Sequence, residues 1–150
     1  MEAGLNLGFE PARVDDADAL VAIRIAAMRD SLERLGRFDP ARARARFLDG
    51  FDPVHTRHVV VDGERVGFVV VKPDGDDLLL DHLYVLPAHQ GRGVGAAVLA
   101  DVLAHADARH ARVRLGALRA SDANRFYARH GFAVVGESEW DIHYARPPAR

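Results

Sequence analysis

The sequence contains no cysteine, which excludes disulfide bonds, thiolate metal sites and a cysteine nucleophile. Lysine is nearly absent as well, since Lys72 is the only one and arginine supplies the remaining positive side chains. The formal net charge of −2 gives no overall attraction to a nucleic-acid backbone. We therefore expect no thiol chemistry and no nucleic-acid partner.

Long apolar runs are missing too. No stretch approaches the ~20 apolar residues that a helix needs to span a bilayer. The opening segment MEAGLNLGF carries an acidic residue and lacks the apolar core of a secretion signal. We therefore expect a cytoplasmic protein with no membrane partner. The eight histidines show no H-E-x-x-H or comparable spacing, so we expect no metal.

What the sequence does contain is typical of one globular domain. Its 150 residues are 49% hydrophobic, which suffices for a full core and argues against disorder. We therefore expect residues 1–150 to form a single domain. Apolar runs bounded by turn residues predict strands at 9–14, 58–61, 65–71, 78–85, 113–118, 132–135 and 140–144.

Capping residues and helical spacing predict four helices between these strands. They run from a cap at Asp15 or Asp16 to about 35, from Asp39-Pro40 to 50, over about 95–106, and from a cap at Ser121 to 131. The resulting order, β-α-α-β-β-β-α-β-α-β-β, predicts a mixed sheet of the α/β (α+β) kind. The two strands joined through the third helix should lie parallel to each other.

The segment QGRGVGA, residues 90–96, lies between the strand at 78–85 and the third helix. Gly91, Gly93 and Ala96 satisfy the dinucleotide pattern G-x-G-x-x-A. However, the loop begins well after the strand, and the next strand ends without the acidic residue that binds a ribose. Glycines ahead of a helix leave its unpaired N–H groups open to a phosphate. By itself the loop has two interpretations. It either binds the phosphate of a ligand other than NAD, or it is a turn that binds no ligand.

Two sequence motifs, which follow each other along the chain at the expected distance, favour the phosphate site over the turn that binds no ligand. The pattern Leu83-Tyr84-Val85-x-Pro87-x-x-Gln90-Gly91-x-Gly93-x-Gly95 resembles motif A of the GCN5-related N-acetyltransferase (GNAT) family. Downstream, Ala123-x-x-Phe126-Tyr127-x-x-x-Gly131-Phe132 resembles motif B of the same family. The predicted element order also fits that family over essentially the whole chain. The resemblance therefore implies the acyl-CoA N-acyltransferase (GNAT) fold.

The resemblance further implies acetyl-CoA as a co-substrate. The residues expected to bind its pyrophosphate are Gln90, Gly91, Arg92, Gly93, Val94, Gly95 and Ala96. The backbone of Leu83, Tyr84 and Val85 is expected to pair with the pantetheine arm like an added strand. Asn124 is either a further cofactor contact or a first-turn residue that bonds backbone groups locally.

The implied chemistry is acetyl transfer from a thioester to a primary amine, directly within a ternary complex. Tyr127 occupies the family position of the acid that protonates the departing thiolate, although a tyrosine beside Phe126 also suits core packing. The proton of the amine passes to Asp81, to His82 or to a chain of water molecules. Asp81 equally suits a structural ion pair, because an unpaired carboxylate is costly in an apolar strand, and His82 suits a packed histidine.

The acceptor is open between a small molecule and a peptide. Several arginines of the first helix region suit either an acidic acceptor or a solvated helix face: Arg24, Arg29, Arg34 and Arg37. The alternative function is a non-catalytic acyl-CoA-binding regulatory module on the same fold. Dimers are frequent in the family, so a homodimer is also an open expectation.

Overall fold

The structure of the protein is a computed structural model that describes residues 6 to 149. Residues 1–5 lie outside that range. They belong to the opening segment whose composition is unlike a secretion signal. The strands are β1 (Leu7–Pro11), β2 (Thr56–Val61), β3 (Glu64–Asp74), β4 (Asp77–Val85), β5 (Val113–Leu118), β6 (Ala133–Glu137) and β7 (Asp141–Arg146). The α-helices are α1 (Ala17–Arg34), α2 (Pro40–Gly50), α3 (Val94–Ala108) and α4 (Ala123–Arg129).

The seven strands form a mixed sheet in the order β1-β2-β3-β4-β5-β7-β6. β4 and β5 pair in parallel at Leu78↔Val113 and Leu79↔Arg114, as expected for strands joined through α3. The pairs β1–β2, β2–β3, β5–β7 and β6–β7 are antiparallel. The predicted fold class and element order are therefore confirmed.

The chain forms two compact units, and the first comprises the described residues up to Val70 together with His82–Leu99. Its apolar core joins α1 and α2 to β3 through buried side chains, which include Leu20, Val21, Ile23, Phe47, Phe68 and Val70. Arg24 is also buried, and its Nη1 donates to the Ala43 carbonyl at 2.6 Å, which ties α1 to α2. Arg24 is therefore not part of a solvated helix face.

The second unit comprises Val71–Asp81 and the described residues from Ala100 onwards. Alternate residues of β5 are buried, namely Val113, Leu115 and Ala117, so one face of this strand belongs to the core. Arg146 of β7 forms an ion pair with Asp107 of α3, with Nη1 at 2.8 Å from Oδ1. The two guanidinium bonds and the Ala149 N–H hold the pKa of Asp107 below its ordinary value.

Some predicted boundaries were wrong where a side chain bonds in an unexpected direction. Ser121 does not cap α4, because its hydroxyl donates to the Leu118 carbonyl and Asp122 occupies the cap position. Asp16 precedes α1, but its carboxylate accepts from the Arg13 N–H and contacts His58 instead of capping the helix. By contrast, α2 begins at Asp39-Pro40 as predicted, and the Asp39 side chain caps it by accepting from the Arg42 N–H.

The Asp62-Gly63 turn between β2 and β3 is confirmed. Both residues have positive φ values, 52° and 79°, which is the conformation of a two-residue hairpin turn. None of the helices in the described part of the chain is long and apolar enough to cross a membrane.

Candidate active site

The glycine loop lies in the first unit and connects β4 to α3. Gly91 and Gly93 have φ values of +77° and +82°, a backbone region that L-residues with a side chain avoid. A Cβ atom added to either glycine would meet no atom within 4 Å. The backbone conformation therefore requires these glycines, and the space beside them is open to a ligand.

The helix start supplies donors next to that open space. The N–H of Ala97 donates to the Gly93 carbonyl at 3.0 Å, which is the first helical bond of α3. The N–H groups of Val94, Gly95 and Ala96 precede that bond and have no helical partner. Val94 is itself buried, so its side chain anchors the helix start, whereas Arg92 in the loop is exposed. The predicted loop residues are therefore brought together at an accessible helix start that suits a phosphate.

Gln90 connects the loop to the end of β4. Its Nε2 donates to the Val85 carbonyl at 2.9 Å, and the Leu86 N–H donates to the Val66 carbonyl at 2.8 Å. These bonds set the direction in which the chain leaves the strand. The cofactor-binding roles predicted for the loop and for residues 83–85 stay predictions.

A glycine that sequence reasoning missed lies beside this strand. A Cβ atom on Gly67 of β3 would lie only 2.2 Å from the Tyr84 carbonyl oxygen, so no side chain fits there. A glycine inside an apolar strand is the signal for such a close backbone approach, and it was available in the sequence.

His82 lies in an aromatic cluster of the first unit. Its ring centroid is 5.3 Å from that of Phe47, 6.1 Å from that of Phe68 and 5.6 Å from that of Tyr84. The half-buried imidazole is thus packed among aromatic rings, as expected for a packed histidine. Its role as the base stays a prediction.

Asp81 belongs to the second unit and forms an ion pair. Its Oδ2 lies 3.2 Å from Nζ of Lys72, the only lysine of the sequence, and both side chains are at least two-thirds buried. This pair is the structural partner that an aspartate in an apolar strand requires. The ion pair thus explains why an aspartate is present in this strand without any catalytic role. The role of Asp81 as the base stays a prediction.

Tyr127 is buried in the second unit, with 7% of its surface exposed. Its ring makes edge contacts with Phe126 and Phe132, at centroid distances of 5.1 and 5.5 Å. The Tyr127 carbonyl also accepts from the Phe132 N–H at 3.2 Å, which closes the end of α4. Motif B therefore folds as a compact aromatic unit, and the role of Tyr127 as the acid stays a prediction.

The Asn124 amide is engaged within the protein. Its Nδ2 lies 2.9 Å from the Leu118 carbonyl and 3.0 Å from the Ser121 carbonyl, while Oδ1 accepts from the Tyr144 hydroxyl at 2.9 Å. The amide thus joins the end of β5 to α4 and β7. The cofactor contact predicted for Asn124 stays a prediction. The hydrogen bonds that its amide makes within the protein are those of a structural residue.

Residues 54–134, which include the loop and the whole of motif B, match the family model of the acetyltransferase (GNAT) domain. The chain belongs to the GNAT family. It is 41% identical over 78 residues to an uncharacterized N-acetyltransferase of Mycobacterium tuberculosis strain H37Rv, a match that covers 50% of each chain. The aligned part of the chain thus spans about half the length of that curated relative.

Solved structures show the same GNAT fold. The PaiA N-acetyltransferase of Thermoplasma acidophilum, in complex with coenzyme A, superimposes with a TM-score of 0.70 at 16% identity, over 95% of this chain and 99% of that one. The ribosomal-protein-S18-alanine N-acetyltransferase of Escherichia coli gives a TM-score of 0.72 at 16% identity, over 96% and 95% of the two chains. At 16% identity, the similarity of these two structures to the chain is a similarity of fold.

Proposed function

We propose that this GNAT protein is an acyltransferase that moves the acetyl group of acetyl-CoA to a primary amine of a small molecule or peptide. The transfer is direct, within a ternary complex. The observation that carries this proposal is the glycine loop at the start of α3, whose two left-handed glycines leave open space beside unpaired N–H groups. Membership of the family and the coenzyme A bound to a protein of the same fold support it.

The residues present fit a pyrophosphate group. The N–H groups of Val94, Gly95 and Ala96 donate to phosphate oxygens, and the positive end of the helix dipole favours their charge. Arg92 is exposed and makes no ion pair within residues 6 to 149, so its guanidinium is available to the same anion. Gln90 holds the loop against the end of β4 through the Val85 carbonyl.

The end of β4 suits an extended ligand arm. Residues 83–85 offer backbone N–H and C=O groups that pair with the amides of a pantetheine chain like an added strand. The Val85 carbonyl already accepts from Gln90, yet a carbonyl oxygen has a second lone pair for another donor.

Acetyl-CoA supplies the thioester, and groups of the protein accept and donate the protons of the reaction. An alkylammonium group is not nucleophilic, so the acceptor must first lose a proton, to a side chain or through water. Asp81 and His82 are the candidates from the sequence. Tyr127 gives a proton to the departing thiolate, a role within the general-acid chemistry of tyrosine.

A thiol-release assay tests this function. Acetyl-CoA is mixed with the protein and, in turn, with 1,4-diaminobutane, spermidine, an α-amino acid amide and a lysine-containing peptide. We expect release of coenzyme A and formation of the acetylated amine with at least one acceptor. Tight binding of coenzyme A without release for any acceptor contradicts the proposal and favours a non-catalytic acyl-CoA-binding module.

A further inference from the structure

A buried positive charge of the first unit lacks a counter-ion. Arg24 of α1 keeps only 8% of its surface exposed, yet it forms no ion pair with any carboxylate of residues 6 to 149. Its one hydrogen bond within that range runs from Nη1 to the Ala43 carbonyl, at 2.6 Å. Burial of a cation is costly unless an anion compensates its charge. An anionic ligand that reaches the guanidinium would supply this compensation.

One edge of the Arg24 guanidinium is not used by the protein. Nε is enclosed and has no hydrogen-bond partner in the described part of the chain. Nη2 makes no hydrogen bond there either, and it is not sealed from solvent as Nε is. Nε and Nη2 together form an edge of the planar group that matches the two oxygens of a carboxylate. This edge therefore suits an anion that approaches from the Nη2 side.

The sequence around Arg24 explains why no internal carboxylate occupies this edge. The residues one helical turn away on α1 are all apolar, namely Leu20, Val21, Ala27 and Met28. The acidic residues of α1 that form ion pairs do so with other arginines. Asp18 pairs with Arg44 at 2.6 Å, and Glu33 pairs with Arg29 at 2.8 Å. The helix that carries Arg24 thus leaves its charge uncompensated.

The charge of α2, the helix that Arg24 contacts, also favours an anion. Arg42, Arg44 and Arg46 lie on this helix against one acidic residue, Asp49, and all four are exposed. An excess of positive charge on one element attracts anions and raises their local concentration. The surroundings of Arg24 therefore favour an acidic ligand over a cationic one.

Arg24 belongs to the same unit as the glycine loop and His82, because α1, α2 and residues 82–99 all lie in the first unit. Its partner Ala43 is one helical turn before Phe47 on α2, and the Phe47 ring centroid is 5.3 Å from that of His82. With helical dimensions, Nη1 of Arg24 is at most roughly 16 Å from the His82 ring. An amino acid or a short peptide covers distances of this order.

We propose that Arg24 binds a carboxylate of the acceptor through Nη2 and Nε, so that the acceptor is an amine that also carries a carboxylate. This inference rests on the proposed function and narrows its substrate class. The amine of the same molecule extends toward His82 and the end of β4. One guanidinium offsets one negative charge, which agrees with a carboxylate better than with a phosphate monoester of nearly two charges.

Matched pairs of acceptors test this substrate class in the thiol-release assay. Glycine is compared with glycinamide, 4-aminobutanoate with 4-aminobutanamide, and 6-aminohexanoate with 6-aminohexanamide. We expect kcat/KM to be about 10- to 100-fold higher for the carboxylate in at least one pair, mainly through a lower KM, because a bond between charged groups is lost in the amide. An active enzyme that uses both members of every pair equally overturns the subsite, while the acetyltransferase stands.

Variants of Arg24 separate carboxylate binding from the tie between α1 and α2. Arg24→Met keeps an unbranched side chain and removes the charge, and it should abolish the preference for the carboxylate in the best pair. Loss of the bond to Ala43 affects both members of a pair alike, so the ratio of their kcat/KM values does not report stability.

Two further variants complete this comparison. Arg29→Met, at an exposed position of the same helix, should keep the preference. Arg24→Lys keeps a charge without the planar edge and should keep part of it. An unchanged ratio in Arg24→Met contradicts the proposed role of Arg24.

An NMR titration tests the subsite without requiring turnover. The Nε–H signal of Arg24 is identified in ¹⁵N-labelled protein by its absence in Arg24→Lys. The carboxylate and amide of each pair are then added in turn to the protein with coenzyme A. We expect a saturable shift of this signal with a carboxylate and none with its amide.

The titration and the assay fail in different ways. No shift with any carboxylate, or an equal shift with the amides, overturns the subsite whatever the activity. A protein that releases no coenzyme A, yet shows the shift that depends on the carboxylate, overturns the proposed function and leaves the carboxylate site in place.

Discussion

Tyr127 has an observed role in packing and a proposed role as the general acid. Its ring is packed between Phe126 and Phe132 in the second unit, which is a structural role. The motif around it resembles the segment in which GNAT enzymes place a proton donor. Packing of this kind restricts the side chain to one orientation, which is also what a general acid requires.

Tyr127→Phe separates these two roles, because phenylalanine keeps the ring and removes the hydroxyl. We expect kcat in the thiol-release assay to fall by about 10²-fold or more, with the Kd for acetyl-CoA nearly unchanged in calorimetry. Tyr144→Phe is the matched control. It removes a hydroxyl that donates to Asn124 and should cost about 1 kcal/mol of stability without a comparable loss of kcat. Full turnover in Tyr127→Phe means that the acid is another group.

At the scale of elements, the loop before α3 is the feature whose sequence and structure agree most closely. The alternation of glycines predicted exposed backbone, and the structure has left-handed Gly91 and Gly93 beside open space. The parallel pairing of β4 with β5 was also predictable, because a helix between two neighbouring strands is the usual crossover of a parallel pair. The conformation of the loop is predictable because it depends on residues that are neighbours in the sequence.

Gly93→Val should weaken acetyl-CoA binding by tenfold or more in calorimetry, since a branched side chain would fill the space beside the helix start. The strain of a valine at positive φ can also weaken binding, through a loss of stability. Gly36→Val controls for this strain. Gly36 has φ +67° and a Cβ atom there would likewise meet nothing within 4 Å. Both variants should lose about 1–2 kcal/mol of stability, and Gly93→Val alone should lose affinity. Equal affinities in the two variants would contradict the phosphate-binding role of the loop.

The free energy of unfolding of the whole molecule depends on a buried polar pair in the first unit. His58 of β2 is fully buried, and its Nε2 lies 2.9 Å from Oδ2 of Asp16, the residue ahead of α1. The bond to His58, followed by the bond from the Arg13 N–H, lowers the pKa of Asp16 below 3.8. A carboxyl group with a lowered pKa in the folded state contributes stability above about pH 3.8 and loses it as the pH falls through its folded value.

Asp16→Asn should therefore lower the free energy of unfolding by about 1–3 kcal/mol at neutral pH. The difference from the wild type should shrink as the pH falls from about 3.8 through the lower pKa of Asp16 in the folded state, where Asp16 becomes uncharged like the asparagine that replaces it. Urea unfolding between pH 2.5 and 7 measures this dependence. Asp15→Asn, at an exposed position with an exposed partner in Arg13, is the control and should change stability by less than about 0.5 kcal/mol. A constant difference across the pH range would show that the charge of Asp16 is not responsible.

The sequence by itself determined the fold class, the element order, the family resemblance and the positions of the glycine loop and Tyr127. These follow from apolar periodicity, capping residues and motif spacing, all of which are local. The tertiary structure decided which distant residues meet. It paired Asp81 with Lys72, engaged the Asn124 amide with Tyr144, required a glycine at position 67, and put His143 between two glycines. Strand register and side-chain contacts between elements set these pairings, and one strand's sequence does not specify the register of its neighbour.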